Sequence, residues 1–424
     1  MIVGGTVRVP GDKSLTHRAL LLGGLAPGTS HVGGALTSLD AGSTARVLRQ
    51  LGARVSPLRP DAVVTIAGRR RFQAPRGRLD CGNSGTTTRL LLGLLAAHRF
   101  TATLTGDSYL RRRPMRRVTG PLSQMGARFT EWSEGDGLPL SIRGARLAPL
   151  RYELPVSSAQ IKSALLLAGL AGGVEVALRE PYGRSRDHTE RLLRAFGYRV
   201  EERDGWIEFA PTGRLEAFAM QVPGDPSSSA FLVGAALLAD AGELRIAGVG
   251  LNPTRTGFLD VLGRMGAGIG RENLETRFDE PVGDLVVRSG SLRATEVAPG
   301  EIPGLIDEIP LLAVLAARAQ GVSVFREVGE LRVKESDRLG LVADNLRAVG
   351  AQADVEGDDL YVEGGSTPPS GRVRTAGDHR LAMAFAVLGT LPGARVVVDD
   401  MACAAVSFPD FPRALRAIRK GGRR

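Results

Sequence analysis

The first half of the chain contains short segments whose side chains suit the binding of anions. In residues 11–18, Lys13, Ser14 and Arg18 lie at the start of an apolar stretch that reads as a buried helix. In residues 82–89, GNSGTTTR, small side chains would let a ligand approach the backbone. Helix N-termini carry unpaired N–H groups and a partial positive charge. Both segments therefore predict a cradle for a phosphate or a carboxylate.

A third segment adds hydroxyl, amide and guanidinium groups. Ser157, Ser158 and Gln160 precede another apolar stretch, and Arg186 follows the next strand-like segment. This combination suits a phosphorylated polyol. The arginine run at 111–117 is interpreted mainly as a solvated face, from which one arginine beside the proline reaches the site.

The second half of the chain is richer in acid–base groups. Asp307 and Arg380 lie at the starts of two apolar stretches. Lys334, Glu335 and Arg338 follow a short strand-like segment. A carboxylate among several cations suits a general base, and a neighbouring lysine–glutamate pair suits a general acid. Each group read alone is equally consistent with an ion-pair network.

Several other chemistries lack their usual motifs. The chain has no HExxH, no paired CxxC and no Walker lysine, so metal and nucleotide sites lose support. It has no G-x-S-x-G elbow, which disfavours a serine hydrolase. These residues are best interpreted as a site that binds small anions and carries acid–base groups, without a metal.

Six apolar segments could position these groups. Each begins with serine or aspartate, the side chains preferred at helix N-caps, and is then almost wholly apolar, as expected of a buried helix. The segments are 14–26, 84–97, 158–171, 227–239, 307–319 and 378–391.

A second series of segments follows the first at a regular distance. Each predicts a helix that ends at a left-handed glycine and is followed by a strand. The glycines are Gly52, Gly126, Gly197, Gly266, Gly350 and Gly421, with 69 to 84 residues between neighbours. The chain therefore reads as six α/β units of two helices and several strands, of which three could share one core.

Length and charge limit the classes further. A chain of 424 residues with 43% apolar and 24% charged residues predicts a folded protein of about two domains. The net charge is +10, and arginine supplies 51 of the 55 basic residues because lysine occurs only four times. Such a chain could bind nucleic acid or small acidic substrates. With two cysteines and neither a signal peptide nor a transmembrane segment in view, we expect a soluble cytoplasmic protein.

Ten motifs together resemble those of the EPSP synthase family, the 3-phosphoshikimate 1-carboxyvinyltransferases. They are PGDKSLTHRAL, CGNSGTTTRLLLGLLA, RRRPM, SSAQIKSALLLAGL, SRDHTE, GDPSSSAF, LIDEIP, RVKESDRL, GDHRLAMA and SFPDF. The match runs from residue 9 to residue 412 in the family's order. The resemblance implies an α/β (α+β) fold, a two-domain inside-out α/β barrel in which each domain has three βαβαββ repeats with buried parallel helices. It implies one domain at 1–12 and 224–424, an inserted domain at 13–223, and an active site in the cleft between them.

The activity implied by the resemblance is transfer of the enolpyruvyl group of phosphoenolpyruvate to the 5-hydroxyl of shikimate 3-phosphate. The products are 5-enolpyruvylshikimate 3-phosphate and phosphate, in the shikimate pathway to chorismate and the aromatic amino acids. The resemblance implies no metal, no organic cofactor, no nucleic-acid or membrane partner, and a cytoplasmic monomer.

Carried over position by position, the resemblance also implies roles for single residues. The catalytic residues are Asp307 as the base, Glu335 as a proton donor to the phosphoenolpyruvate methylene, and Lys13. The residues for shikimate 3-phosphate are Lys13, Ser14, Arg18, Ser157, Ser158, Gln160, Arg186, Asp307 and Lys334. The residues for phosphoenolpyruvate are Lys13, Gly85, Arg113, Gln160, Arg338 and Arg380.

Two positions depart from some relatives, and two alternatives stay open. Val406 stands where some relatives have a phosphoenolpyruvate-binding lysine, and Glu330 stands where some have asparagine. The choice between Glu335 and Lys334 as proton donor is open. The nearest alternative is the enolpyruvyl transferase acting on UDP-N-acetylglucosamine, whose usual mobile-loop cysteine has no counterpart in residues 107–114. A basic polyanion- or nucleic-acid-binding protein is the other, and an aromatic content of only 5% disfavours it.

Overall fold

The structure is a computed structural model that describes residues 1–131 and 135–419. Its strands are β1 Ile2–Val7, β2 Gly28–Gly33, β3 Arg54–Val55, β4 Val64–Gly68, β5 Leu79–Asp80, β6 Thr101–Thr105, β7 Arg128–Glu131, β8 Leu140–Arg143, β9 Leu150–Glu153, β10 Val176–Arg179, β11 Arg199–Arg203, β12 Trp206–Ala210, β13 Ala219–Gln221, β14 Ala241–Gly250, β15 Gly268–Arg277, β16 Glu280–Arg288, β17 Glu296–Val297, β18 Val322–Phe325, β19 Gln352–Glu356, β20 Asp359–Glu363, β21 Ser370–Val373 and β22 Arg395–Val398.

Its α-helices are α1 Lys13–Leu25, α2 Leu39–Gln50, α3 Gly85–Ala96, α4 Ser108–Arg111, α5 Arg116–Gln124, α6 Ala159–Gly172, α7 His188–Ala195, α8 Pro226–Leu237, α9 Gly257–Arg264, α10 Ile302–Leu305, α11 Ile309–Ala316, α12 Arg338–Ala348, α13 His379–Leu388 and α14 Phe411–Ala417. Short 3₁₀ helices lie at Pro299–Glu301, Gly329–Val333 and Ala402–Val406. None of the helices within the described ranges is long and apolar enough to cross a bilayer.

The chain divides into two compact units. The terminal unit contains Met1–Pro10, Pro223–Thr276 and Pro281–Arg424. The inserted unit contains Gly11–Val222 and the short segment Arg277–Glu280. Each unit has its own hydrophobic core of buried aliphatic and aromatic side chains. Two units with separate cores agree with the expectation from chain length.

Three buried helices lie at the centre of the inserted unit. They are α1, α3 and α6, and α3 packs against both of the others. Their side chains are apolar on nearly all faces because sheets and neighbouring helices surround them. The sheets have the orders β13-β2-β4-β3, β5-β6-β8-β7 and β9-β10-β12-β11.

The three sheets of the inserted unit share one pattern of pairing. An edge strand pairs in parallel with the first inner strand, as β5 does with β6. The two inner strands and the last edge then pair antiparallel, as in β6, β8 and β7. In two of these sheets the parallel step contains a buried helix, α3 between β5 and β6 and α6 between β9 and β10, because parallel strands need a crossover. The βαβαββ repeat expected from the resemblance is therefore present.

The terminal unit is built around α8, α11 and α13, which pack against one another. Two of its repeats keep the expected βαβαββ pattern, but within the described residues the last repeat lacks the two final strands. Its sheets have the orders β1-β14-β16-β15 and β17-β18-β20-β19, and the third sheet is the parallel pair β21-β22. All six predicted apolar segments are thus helical, and the α/β class with buried helices is confirmed.

The two edge strands that begin the first and fourth repeats are exchanged. Strand β1 precedes α1 in the chain but pairs with β14, next to α8 in sequence. Strand β13 precedes α8 but pairs with β2, which follows α1. The chain therefore contributes β1 to a sheet of the terminal unit before it enters the inserted unit. It contributes β13 to a sheet of the inserted unit just before it returns to the terminal unit.

The predicted glycine positions are confirmed where the structure describes them. Gly52, Gly126, Gly197, Gly266 and Gly350 have φ of 94°, 114°, 80°, 90° and 88°, each just beyond a helix. A strand follows each of them. Gly421 lies outside the described residues.

Three of the predicted helix N-caps were wrong. Asp12, rather than Ser14, caps α1 by accepting a hydrogen bond from the Leu15 amide at 2.7 Å. Asp225, rather than Ser227, caps α8 through the Ser228 amide at 3.0 Å. In α11 the N-cap is Glu308, and Asp307 lies one residue before it. In α1 and α8 an aspartate just upstream offers a carboxylate to the first amides, so these two helices begin earlier than the apolar pattern alone suggests. Helix α11 begins later than predicted, and its cap makes no side-chain hydrogen bond.

Candidate active-site residues in the two units

The start of α1 places the first predicted cations in the inserted unit. Lys13 is the first residue of the helix, and its Nζ donates to Asp40 Oδ2 on α2 at 3.2 Å. The Ser14 carbonyl accepts a hydrogen bond from Arg18 Nη1 at 3.0 Å. Lys13 and Arg18 thus lie five residues apart on the same helix, about 1.4 turns.

Arg18 is buried and held by hydroxyl groups from two other helices. Its Nε donates to Thr189 Oγ1 on α7 at 2.7 Å, and its Nη2 donates to Ser163 Oγ on α6 at 2.6 Å. Burial lowers the pKa of Arg18 to about 10, partly offset by Glu190 and Asp12 and reinforced by Arg186. The guanidinium is therefore still charged at neutral pH.

The start of α3 brings Gly85 against two guanidinium groups. Gly85 is the first helical residue after the Ser84 cap. A Cβ at this position would lie 3.0 Å from Arg113 Nη1 and 3.1 Å from Arg89 Nη1. Arg113 Nη2 also donates to Asn83 Oδ1 at 3.0 Å. The glycine therefore leaves room for two cations at the N-terminus of a buried helix.

The start of α6 is tied to the same group. Gln160 Oε1 accepts a hydrogen bond from Arg89 Nη1, and Gln160 Nε2 donates to Thr86 Oγ1 at 3.1 Å. Ser158 is the N-cap residue of α6. Ser157 Oγ accepts from the Tyr182 amide at 3.1 Å, while Arg186 is partly buried beyond the following strand.

In the terminal unit, Arg338 gathers three carboxylates. The side chain is fully buried, and its Nε donates to Asp378 Oδ2 at 2.7 Å. Its Nη1 donates to Asp307 Oδ1 at 3.0 Å, and its Nη2 lies 2.5 Å from Glu335 Oε2. Burial alone would lower the pKa of Arg338, but Asp378, Glu335 and Asp307 raise it above its ordinary value. Two of the predicted acid–base residues therefore share one guanidinium.

Arg380 approaches Asp307 from another side. Its Nη2 lies 3.5 Å from Asp307 Oδ2, and its Nη1 donates to the Asp307 carbonyl at 3.1 Å. The same Nη1 lies 3.4 Å from Glu308 Oε1. These contacts join five residues into one group. We call it the Arg338 cluster, and its members are Asp307, Glu335, Arg338, Asp378 and Arg380.

The remaining predicted positions lie close by in sequence. Lys334 is partly buried between the 3₁₀ helix Gly329–Val333 and Glu335. Glu330 lies in that 3₁₀ helix, and Val406 ends another at Ala402–Val406.

Sequence reasoning missed the side chains that orient the predicted ones. Asp378 is the helix cap expected from sequence, since it caps α13 through the Arg380 amide at 2.9 Å. Its second contact, with Arg338, was not predicted. Ser163 and Thr189, which hold Arg18, are inconspicuous in sequence because hydroxyls are common in helices. Arg89 lies in the motif CGNSGTTTRLLLGLLA, but no role was predicted for it, because its contact with Gln160 depends on the packing of α3 against α6.

Comparison with known proteins shows to which family the chain is similar. A profile of the EPSP synthase (3-phosphoshikimate 1-carboxyvinyltransferase) family matches residues 2–415. A 3-phosphoshikimate 1-carboxyvinyltransferase of Thermus thermophilus is 50% identical over 408 residues, which are 96% of this chain and 94% of the relative. One from Citrifermentans bemidjiense is 44% identical over 98% of this chain and 97% of the relative.

Solved structures give the same answer. The EPSP synthase of Acinetobacter baumannii matches with a TM-score of 0.87 and 38% identity, over 98% of this chain and 96% of that one. The enolpyruvyl transferase NikO of Streptomyces tendae matches with a TM-score of 0.77 at 19% identity, which shows a shared fold. The chain, over nearly its whole length, belongs to the EPSP synthase (3-phosphoshikimate 1-carboxyvinyltransferase) family.

Proposed function

We propose that the protein transfers the enolpyruvyl group of phosphoenolpyruvate to the 5-hydroxyl of shikimate 3-phosphate and releases inorganic phosphate. The names of its relatives support this reaction over transfer to UDP-N-acetylglucosamine and over polyanion binding. The protein would act in the cytoplasm as a monomer, on two small anionic substrates, in aromatic amino-acid biosynthesis.

The inserted unit would recognise shikimate 3-phosphate. Arg18 supports this role because its charged group is oriented by hydroxyls at 2.6 and 2.7 Å, which fix its direction without neutralising it. Buried helix N-termini add partial positive charge for a phosphate. The proposed contacts in this unit are Lys13, Ser14, Arg18, Ser157, Ser158, Gln160 and Arg186.

Phosphoenolpyruvate carries a phosphate and a carboxylate, so it needs several cations. The guanidinium of Arg113 beside Gly85, with Lys13 and Gln160, supports binding by the inserted unit. Arg338 and Arg380 would contribute from the terminal unit. Arginine forks bind phosphate and carboxylate oxygens in pairs, which gives orientation as well as affinity.

The Arg338 cluster would supply the acid–base chemistry. Glu335 would donate a proton to C3 of phosphoenolpyruvate, which develops positive charge at C2. Asp307 would accept the proton of the 5-hydroxyl as its oxygen attacks C2, giving a tetrahedral intermediate. Loss of phosphate from that intermediate, with removal of a C3 proton, restores the double bond and gives the enol ether.

The observation that carries the proposal is that Asp307 and Glu335 contact the same guanidinium. Asp307 Oδ1 and Glu335 Oε2 lie 3.0 and 2.5 Å from two different terminal nitrogens of Arg338. An anionic substrate that takes a place on Arg338 would compete with Glu335 and release its carboxyl for proton transfer. Lys334 remains the alternative donor, with a further role in binding shikimate 3-phosphate.

The test is phosphate release from phosphoenolpyruvate without added metal. Shikimate 3-phosphate should support release, whereas UDP-N-acetylglucosamine should not. Asp307→Ala should lower kcat by at least about a hundredfold, since general base catalysis contributes roughly 10²–10⁴. The matched control is Asp344→Ala, whose carboxylate is exposed in an ion pair with Arg347 and should leave kcat unchanged.

Two results would refute the proposal. One is a folded wild-type protein that releases no phosphate with shikimate 3-phosphate. The other is equal release with UDP-N-acetylglucosamine as acceptor. A fully active Asp307→Ala variant would refute the assignment of the base while leaving the reaction intact.

A further inference from the structure

Lys162 is a buried cation that the proposed chemistry leaves without a role. It lies on α6 and is about 1% exposed, in a chain that uses arginine almost everywhere else. Burying an ammonium costs free energy unless it is fully paired. The groups that pair with it therefore show what the lysine does.

Three oxygens surround the Lys162 ammonium. Its Nζ donates to Glu180 Oε2 at 2.9 Å and to the Ser185 carbonyl at 3.1 Å. It also lies 2.8 Å from Glu190 Oε1 on α7. Burial lowers the pKa of Lys162, but Glu190 and Glu180 together raise it above its ordinary value, so the group is charged. Glu180 and the Ser185 carbonyl accept hydrogen bonds from the ammonium, and Glu190 pairs with it by charge. The planar fork of arginine would not reproduce this compact arrangement.

This group, which we call the Lys162 cluster (Lys162, Glu180, Ser185 and Glu190), adjoins both phosphate-binding arginines. Ser185 precedes Arg186, and its amide donates to Glu180 Oε2 at 3.2 Å. The Ser185 hydroxyl donates to the other oxygen of Glu180. The Ser185–Arg186 segment is therefore held on the lysine by backbone and side-chain bonds.

The second arginine is connected through neighbouring positions of the same helices. Arg18 binds Ser163, which directly follows Lys162, and Thr189, which directly precedes Glu190. Thr189 Oγ1 donates to Ser163 Oγ at 2.7 Å. Glu190 also interacts with Arg18 through its charge. Glu190, together with Asp12 and Glu280, thus offsets the repulsion of Arg18 by Arg186, while Lys162 holds Glu190 in place.

We propose that Lys162 is a positioning residue for phosphate recognition: it anchors the Ser185–Arg186 segment and keeps Glu190 away from the guanidinium of Arg18. The inference rests on the proposed function, because it assumes that Arg18 and Arg186 bind the phosphate of shikimate 3-phosphate. Without the lysine, the Glu190 carboxylate would turn to the buried guanidinium of Arg18, with which it already interacts through its charge, and would compete with the substrate's phosphate.

The test compares Lys162→Met with the double variant Lys162→Met/Glu190→Gln. Methionine keeps the length of the side chain and removes the charge. The single variant should raise KM and Kd for shikimate 3-phosphate at least about tenfold, the scale expected when one member of a buried charge group is removed. KM for phosphoenolpyruvate should change less than about twofold. The double variant should recover most of the lost affinity, because the competing carboxylate is gone.

The control variant is Thr103→Val, which removes a partly buried hydrogen bond between Thr103 and Ser141 on β6 and β8 at 2.8 Å. It should leave both KM values unchanged. If Lys162→Met does not fold, Ser185→Ala replaces it, since this variant cuts only the hydroxyl bond to Glu180. It should raise KM for shikimate 3-phosphate alone by several-fold, about the value of one charge-assisted hydrogen bond.

The outcomes separate this inference from the proposed function. Titration of shikimate 3-phosphate by calorimetry measures binding without turnover. A wild-type protein that neither binds nor converts shikimate 3-phosphate would overturn the proposed function. An active wild type whose Lys162→Met variant binds normally, loses affinity for both substrates equally, or is not improved by Glu190→Gln would overturn the positioning role alone.

Discussion

Two buried arginines, Arg18 and Arg338, show how surroundings divide one residue type into different tasks. Arg18 donates its hydrogen bonds to hydroxyl and carbonyl oxygens, and burial lowers its pKa to about 10. Arg338 contacts three carboxylates, which raise its pKa. The first arrangement leaves a directed positive charge for a phosphate. The second holds the proposed acid–base residues in place on a cation that we also propose for phosphoenolpyruvate.

Gly85 provides a prediction at the same scale. Gly85→Ala would place a methyl group 3.0 Å from Arg113 Nη1 and 3.1 Å from Arg89 Nη1. Both atoms are the ends of flexible side chains, so the fold should tolerate the change while the guanidinium groups shift. We expect KM for phosphoenolpyruvate to rise roughly tenfold, because a displaced bidentate arginine loses about one charge-assisted hydrogen bond. Steady-state kinetics at saturating shikimate 3-phosphate measures this.

The matched control is Gly77→Ala, in the same unit, where an added Cβ meets nothing within 4 Å. It should leave all kinetic constants unchanged. A Gly85→Ala protein with an unchanged KM for phosphoenolpyruvate would show that the Gly85–Arg113 pair lies away from that substrate.

The cations and carboxylates of the candidate site could be predicted from sequence, but their supports could not. Charged residues beside glycine or proline at helix starts stand out in an otherwise apolar pattern, as Lys13 and Asp307 do. Ser163 and Thr189 carry no such signal, because their contact with Arg18 joins residues far apart in sequence. In sequence, Glu180 and Glu190 look like ordinary surface glutamates. Only the folded structure shows that both pair with the buried Lys162.

At the scale of elements, the buried helices and their glycine-ended partners followed from sequence because each has a strong local signal. An apolar stretch bounded by polar caps predicts α3, and positive φ at Gly266 follows from its place between a helix and a strand. Helix starts were less accurate, since an aspartate such as Asp225 competes with the serines that follow it. The exchange of β1 and β13 is a matter of long-range pairing, which local periodicity does not encode.

The end of α9 offers a paired prediction for these glycines. Gly266→Ala should lower the free energy of unfolding by about 1–2 kcal/mol, because its φ of 90° is strained for a residue with a Cβ. Gly263→Ala, three residues earlier, should raise it by about 0.5–1 kcal/mol, since alanine loses less entropy in a helix. An added Cβ at Gly263 meets nothing within 4 Å, and at Gly266 only Ser291 O at 3.8 Å.

Urea unfolding followed by circular dichroism measures both variants against wild type. Opposite signs for the two alanines would support a left-handed helix end at Gly266. Equal effects in the same direction would contradict it, because crowding is absent at both positions.

At the scale of the whole molecule, six repeats supply helix starts with different polar side chains. The repeats of the inserted unit carry the cations and hydroxyls proposed for shikimate 3-phosphate, such as Arg18 and Ser158. Those of the terminal unit carry carboxylates paired with arginine, as in the Arg338 cluster. A net charge of +10 suits a protein that must collect two polyanions. The proposed reaction as a whole depends on which bond of phosphoenolpyruvate is broken.

The direct measurement uses phosphoenolpyruvate labelled with ¹⁸O in the oxygen that bridges C2 and phosphorus. Enolpyruvyl transfer breaks the C2–O bond, so we predict that the label leaves with inorganic phosphate while the organic product gains an enol ether at the 5-oxygen. Mass spectrometry of both products after reaction with shikimate 3-phosphate reads this out. Label retained in pyruvate or in any other organic product would mean that the P–O bond is broken, and would contradict the proposed reaction.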